Sequence, residues 1–339
     1  MTLRVVHAEG DPAERGRTIG RELGDLINRS LAFYRQYLGA VGDFETVVAP
    51  YRSAAERSLP GHVATLAAMA AAAEVPPAEL FAVNACEELE ALAAAGIGGR
   101  CSSFAAVGPG ATILAHNEQW FAADAANVAV VVEHPAQGVA VASPTVASCL
   151  PAVGMNALGG AQAIDSLTAR DDGVGIPRVF VSRHALEAAD REDAVHRADL
   201  PGRAGGYAHV FAFAGGEAVT LETTTGAVAV LAGPAAHTNH YLDPRLAELG
   251  DEPAPGSVSR YERLRELLAA RPPASPEEAM EILRDHQSAP QAICKHAAAG
   301  AGEESTVVFS MVCELESRRM WVAPGNPCET PFEEVELGL

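Results

Sequence analysis

Basic charge is scarce in this sequence. It has 24 Lys and Arg against 44 Asp and Glu, a formal net charge of −20, and its lone lysine is Lys295. A field of that sign repels phosphate backbones and anionic headgroups, so neither nucleic acid nor a membrane surface is expected as a partner. A local basic pocket for one anionic substrate stays compatible with it. A bilayer-spanning run is also missing: "ATLAAMAAAAEV" is apolar but too short. The opening "MTLRVVHAEG" lacks the basic and apolar regions of a secretory signal, and a soluble cytoplasmic protein is expected. The six cysteines, at 86, 101, 149, 294, 313 and 328, form no C-x-x-C pair. That spacing offers neither a zinc knuckle nor a thioredoxin motif, and cytoplasmic thiols are mostly reduced. There is no G-x-S-x-G elbow, no Walker A loop and no H-E-x-x-H. No metal and no cofactor are expected.

What is present is enough apolar material for a large core: 48% of 339 residues are hydrophobic. The first hundred residues read as helices. Asp11, Pro12 and Glu14 have capping-box spacing, and Ile19, Leu23, Ile27, Leu31 and Tyr34 recur at helical intervals. Further helices are expected at 45–58, 61–73 and 77–94, bounded by Pro60 and Pro76–Pro77. At Gly98–Gly99 the pattern changes to short runs broken by Gly or Pro, such as "CSSFAAVG", "ATILAHNE" and "ANVAVVVEH", which read as strands and hairpins. Two helices, three strands, two helices at 257–270 and 276–286, and two late strands follow. This is not a βαβ alternation. It predicts an α+β fold of two mainly antiparallel sheets with helices outside. No linker divides it, so residues 1–339 are expected to form one domain.

Three stretches carry candidate chemistry. In "GGRCSSFAAVG", Cys101 follows a Gly-Gly turn at the change from helices to strands; a lone cysteine is more often core than chemistry. In "HTNH", 237–240, the histidines have no carboxylate partner nearby for a zinc site, whereas the Asn239 amide has the donor an oxyanion needs. "HNEQW", 116–120, places Asn117, Glu118, Gln119 and Trp120 at a strand end, where function and plain solvation compete.

Taken in order, these stretches resemble the isopenicillin N acyltransferase-like (acyl-coenzyme A:6-aminopenicillanic acid acyltransferase) family, cysteine members of the N-terminal nucleophile (Ntn) hydrolases. The likeness begins in "DPAERGRTIGREL" and runs through "CSSFAAVGPGATILAHNEQW", "GMNALGGAQAIDSL", "GIPRVFVSRHALE", "HTNHYL", "AICKH" and "GNPC". It implies a four-layer αββα sandwich and a precursor that cuts itself between Arg100 and Cys101. Residues 1–100 would become a helical α-chain and 101–339 the catalytic β-chain. Cys101 would then use its own α-amine as base, and Asn239 would donate to the oxyanion. The implied substrate is a small acylated amine, with the two cleaved chains as each other's partners. Oligomeric state is not legible.

The sequence departs from the family's pattern at four places. Gln119 stands where a carboxylate usually orients the α-amine, and a regular strand would turn Glu118 to the opposite face. Arg100 replaces a glycine before the nucleophile. Lys295 replaces an arginine, which keeps the charge but loses the bidentate fork. Asp165 replaces an asparagine and would either line the pocket, favouring a cationic substrate group, or cap a turn. Asn117, Glu118, Trp120, Asp165 and Lys295 are the candidate substrate-binding residues. Two alternatives stay open: an acyltransferase or cyclase acting on a thioester or carrier-bound substrate, and a degenerate binding member.

Overall fold

The chain opens with a strand, β1 (Arg4–Gly10), where the sequence reading has only helices. The computed structural model describes residues 3–93, 101–233, 235–297 and 304–338. After β1 come α1 (Pro12–Glu22), α2 (Gly24–Tyr37), α3 (Phe44–Ser58), α4 (Pro60–Ala72), α5 (Pro77–Val83) and α6 (Cys86–Ala93). Asp11 and Glu14 form the expected capping box, with Pro12 in the first turn. The long helix expected from Asp11 breaks at Leu23, which ends α1 and precedes α2.

From Ser102 the chain is mostly strand: β2 (Ser102–Gly108), β3 (Ala111–Phe121), β4 (Val128–Pro135), β5 (Val141–Val146), β6 (Gly154–Asn156) and β7 (Gly160–Ser166). Two helices, α7 (Arg178–Ala185) and α8 (Arg191–Ala198), lead to β8 (Tyr207–Phe213), β9 (Glu217–Thr223), β10 (Val228–Val230) and β11 (Ala236–His237). The chain then forms α9 (Pro244–Ala247), α10 (Pro255–Ala270), α11 (Pro276–Leu283), β12 (Ser305–Glu314), β13 (Arg319–Pro324) and β14 (Glu333–Val335).

These strands make two sheets, ordered β1-β4-β5-β6-β7-β8-β9-β10 and β11-β2-β3-β12-β13-β14. The β1–β4 pair is parallel. Alternation along each strand sends side chains to both faces, and both faces are buried. Val130, Val132, Ala163 and Val210 of the larger sheet meet Ala105, Leu114, Met311 and Cys313 of the smaller one. On the outer face of the larger sheet, Ala129 and Val131 pack under α1–α5, while Phe211 and Leu221 pack under α7 and α8. Phe104, Ile113 and Ala115 pack outward against α10 and α11. The result is the expected helix–sheet–sheet–helix sandwich.

Two devices lock the N-terminal helices on. A β-carbon on Gly16 would lie 2.2 Å from the Thr65 carbonyl oxygen, and one on Gly20 would lie 2.4 Å from that of Met69. The backbones of α1 and α4 can approach this closely only with glycine there. Second, buried Glu133 on β4 is held by Arg15 of α1 at 3.4 Å and by both Nε and Nη2 of Arg183 on α7. Burial alone would raise the Glu133 pKa, but the two guanidinium groups hold it below its ordinary value. Among the described residues, no helix is long and apolar enough to cross a membrane.

Candidate active site

The hairpin joining β2 to β3 sets the site. Gly108 pairs with Ala111 around a two-residue Pro109–Gly110 turn, and the ladder runs back to Ser102 opposite Asn117. Gly110 has φ +92°, the left-handed conformation that glycine supplies after proline in a type II turn. One step further along this register, Cys101 lies across from Glu118. Opposed residues in an antiparallel ladder share a face. The Cys101 Sγ accordingly donates to Glu118 Oε1 at 3.2 Å. Glu118 Oε2 lies 3.1 Å from His116 Nε2, and His116 Nδ1 lies 2.9 Å from Ser103 Oγ. This thiol–carboxylate–imidazole–hydroxyl chain faces the space between the sheets.

The other side of Cys101 is set by β11. His237 pairs with Ser103, so the chain leaving β11 passes beside Cys101. There Asn239 Oδ1 accepts the Cys101 backbone N–H at 2.9 Å and Arg260 Nη2 at 2.7 Å. Asn239 Nδ2 donates to the Ser166 carbonyl at 3.2 Å. The neighbouring histidines brace this loop. His237 Nε2 lies 2.8 Å from buried Glu222, whose carboxylate also accepts the N–H groups of Leu242 and Asp243. His240 Nδ1 lies 2.8 Å from Ser257 Oγ, which accepts the Asn239 N–H at 2.8 Å. Burial pushes the His240 pKa down to about 4, so the ring is neutral.

Charge around the sulfur is distinctive. Cys101 is 2% exposed, and burial raises its thiol pKa well above the ordinary value. The charges of Glu118 and Asp165 add to this rise, and the Gln119 backbone N–H opposes it. Asp165, on β7, is buried, and neither carboxylate oxygen has a hydrogen-bond partner among the described residues. Burial raises its pKa strongly, opposed by Ser103 and Arg260. Arg260 is buried too; desolvation pulls its guanidinium down to about 10, and Nη2 reaches the Cys101 carbonyl oxygen at 3.4 Å.

Not every expected residue arrives here. Glu118 and Gln119 exchange places relative to the sequence reading: Glu118 bonds the thiol, and the Gln119 side chain turns to the helix layer, donating to the carbonyls of Ala292 and Ile293. The hairpin register is the physical reason. Asn117 shares that outward face, donating to the carbonyls of Leu283 and Ile293 and accepting from Ser310. Lys295 Nζ donates to Ser305 Oγ at 2.6 Å and lines none of the cavities described next. Asp165 lines none of them either. Arg100 lies outside the described residues.

Glu118 and Trp120 do line a cavity. It holds about 80 Å³ and is otherwise walled mostly by apolar side chains such as Leu150, Val153, Ile164 and Phe309, with Thr145 and Tyr207. A cleft of about 350 Å³ is lined by Asn239 and Ser166 together with Glu87, Glu88, Glu90, Asp172 and Arg178. Between them a space of about 40 Å³ shares Trp120, Cys149 and Tyr207 with the first and Glu87, Glu88 and Arg178 with the second. A separate depression of about 770 Å³ touches the other end of β2 at Ala105–Val107 and includes none of these residues.

Sequence reasoning missed His116 and Arg260. His116 was legible, two residues before Glu118 and so on the same strand face. Arg260 sits at helical spacing with buried Ser257, Leu264 and Leu268, which marks it as facing the sheet.

Two stacked sheets between helical layers, with a cysteine leading into an inner strand, define the Ntn hydrolase fold. A solved mutant of conjugated bile acid hydrolase from Clostridium perfringens is similar over 70% of this chain and 92% of that one, with TM-score 0.50 and 13% identity. Penicillin V acylase from Agrobacterium tumefaciens aligns over 66% of this chain and 83% of its own, with TM-score 0.46 and 15% identity. A comparison with curated proteins finds no match. The family model for acyl-coenzyme A:6-aminopenicillanic acid acyl-transferase matches residues 107–329, and the chain belongs to that family. That membership makes it an enzyme of an acyltransferase family. Glu118 and Asn239 fall within the matched span, and Cys101 lies just ahead of it.

Proposed function

We propose that Cys101 is the nucleophile of an amidohydrolase or acyltransferase that works through a thioester and first frees its own amine by cutting at Arg100–Cys101. One observation carries this reading: Glu118 and Asn239, far apart in sequence, both hydrogen-bond Cys101, at 3.2 Å and 2.9 Å. In the uncut chain the buried thiol is neutral, so its proton must leave as the sulfur attacks. The Glu118 carboxylate is hydrogen-bonded to it and takes that proton. The sulfur adds to the Arg100 carbonyl, the peptide C–N bond breaks, and the nitrogen leaves with a proton as the Cys101 α-amine. Water then opens the resulting thioester, leaving the Arg100 carboxylate and the free Cys101 thiol. The two pieces, of 100 and 239 residues, stay joined because β1 is part of the larger sheet.

In turnover the free α-amine accepts the thiol proton, with Glu118 stabilising its charged form. The sulfur attacks the substrate amide, and the oxyanion takes hydrogen bonds from Asn239 Nδ2 and a backbone N–H. The amine product departs with a proton, and water or a second amine releases the acyl group. The cavities favour a short apolar acyl group beside Glu118 and Trp120. The carboxylates of the Asn239 cleft, Glu87, Glu88, Glu90 and Asp172, outnumber the single Arg178 there and favour a cationic amine.

Intact mass after expression tests the reading, with Cys101→Ala beside the wild type. Two fragments from the wild type, an uncut variant, and a mass adduct of one acyl group on the 239-residue piece are expected. A wild-type chain that stays whole yet turns over an acylated amine overturns the free-amine mechanism.

A further inference from the structure

Away from the nucleophile, on the outer side of the smaller sheet, four side chains converge that the activity does not use. His286 follows α11, Cys294 and His296 lie in "AICKH" before β12, and Cys328 lies in "GNPC" after β13. One donor atom from each lies within 4.8 Å of every other. The sulfurs of Cys294 and Cys328 are 3.5 Å apart. His296 Nε2 lies 3.7 Å from the Cys294 sulfur, 3.3 Å from the Cys328 sulfur and 3.1 Å from His286 Nε2.

These are four of the six edges that a tetrahedral site would have, and the other two are within 4.8 Å. Zn–S bonds of about 2.3 Å and Zn–N bonds of about 2.0–2.1 Å require S···S near ~3.8 Å, S···N near ~3.6 Å and N···N near ~3.3 Å. The four observed edges fall within a few tenths of an ångström of those lengths. The sulfur separation is far beyond a disulfide bond of about 2.05 Å. The surrounding shell also suits a cation. His296 turns Nε2 inward, and its Nδ1 lies 3.6 Å from the Glu329 carboxylate, an anion on the side of the ring where a metal-binding imidazole has its outer partner. Asn326 Nδ2 approaches the Cys294 sulfur at 3.7 Å, as a donor to a thiolate does.

We propose that His286, Cys294, His296 and Cys328 bind one zinc ion as a closed structural site. Two thiolates balance the dication, two imidazoles complete four-coordination, and no position is left for substrate. The site would tie the segment between α11 and β12 to the turn after β13. That segment backs the nucleophile's hairpin: Ile293 accepts from both Asn117 and Gln119 on β3. The Lys295 carbonyl accepts the Val307 N–H of β12 and the Asn326 amide.

The test is the metal content of the full chain, purified without chelator, by inductively coupled plasma mass spectrometry. About one zinc per chain is expected, lost in Cys328→Ser and in His296→Gln, and retained in Cys101→Ala, which removes the other buried thiol close to a histidine. Should the ligand variants fail to fold, cobalt(II) exchanged into the wild type decides: intense visible bands of a tetrahedral thiolate site, abolished by zinc, are expected. Chelation should also lower the melting temperature. A chain that takes up neither zinc nor cobalt, one that keeps full zinc in Cys328→Ser, or one with Cys294 and Cys328 joined by a disulfide overturns the proposal.

Discussion

The two faces of β3 differ in what holds their polar side chains. On the inner face, Glu118 bonds both His116 and the Cys101 thiol, side chain to side chain. On the outer face, the amide groups of Asn117 and Gln119 donate to backbone carbonyls of Leu283, Ala292 and Ile293. The inner groups can exchange a proton with a neighbour. The outer ones are neutral amides that cannot titrate, and they pin a loop to a strand. One strand thus presents ionisable groups on one side and neutral amides on the other, with the side set by a single residue of register.

Substitutions should separate the faces. Glu118→Gln removes the thiol's proton acceptor while keeping its shape, and should cut both self-processing and turnover by about 10²–10⁴-fold, read by mass and by steady-state rate. Glu133→Gln touches neither face but removes the buried carboxylate that Arg15 and Arg183 share, leaving Arg183 with Glu187; a loss of about 3–5 kcal/mol of stability in denaturant melts is expected, without a change in the rate of the folded fraction. Acid should act at the same place. The Glu133 pKa is lower folded than its ordinary 4.5, so its contribution is complete above that value and fades as pH falls through the folded pKa. In Glu133→Gln the acid loss of stability below about pH 4.5 should be shallower. Asn239→Ala should lower kcat by about 10²–10³-fold in processed enzyme, the usual cost of an oxyanion donor. Gln119→Ala should have the smallest effect, about 1 kcal/mol of stability and little change in rate. A Gln119→Ala enzyme as slow as Glu118→Gln would reverse the assignment of the faces.

Much of the fold was legible in local pattern. Capping at Asp11, the helical spacing of α2, and the strand runs from Ser102 onward all reflect periods of 3.6 and 2 that packing preserves. β1 was missed because "RVVHAEG" is a short run beside strong helix signals, and its partner β4 lies over a hundred residues away. At the site, Cys101 and Asn239 were legible only through the order of motifs. The side chains of Glu118 and Gln119 lie on the opposite faces from those expected, although "GPGA" holds the correction: a two-residue Pro-Gly turn places Cys101 across from Glu118. Asp165 was open to two readings, lining the pocket or capping a turn, because sequence carries no depth; it is buried on β7 and lines none of the cavities described above. The His286, Cys294, His296 and Cys328 cluster was invisible because its spacings match no local motif; three elements must fold before its ligands meet.

The most direct measurement of the central claim is the N-terminal sequence and mass of the larger piece after expression. The account predicts a 239-residue chain beginning "CSSFAAVG", absent from Cys101→Ala, and acylated at that first residue when substrate is trapped. A catalytically active chain carrying an intact Arg100–Cys101 bond, or an acyl group trapped on any other residue, would contradict it.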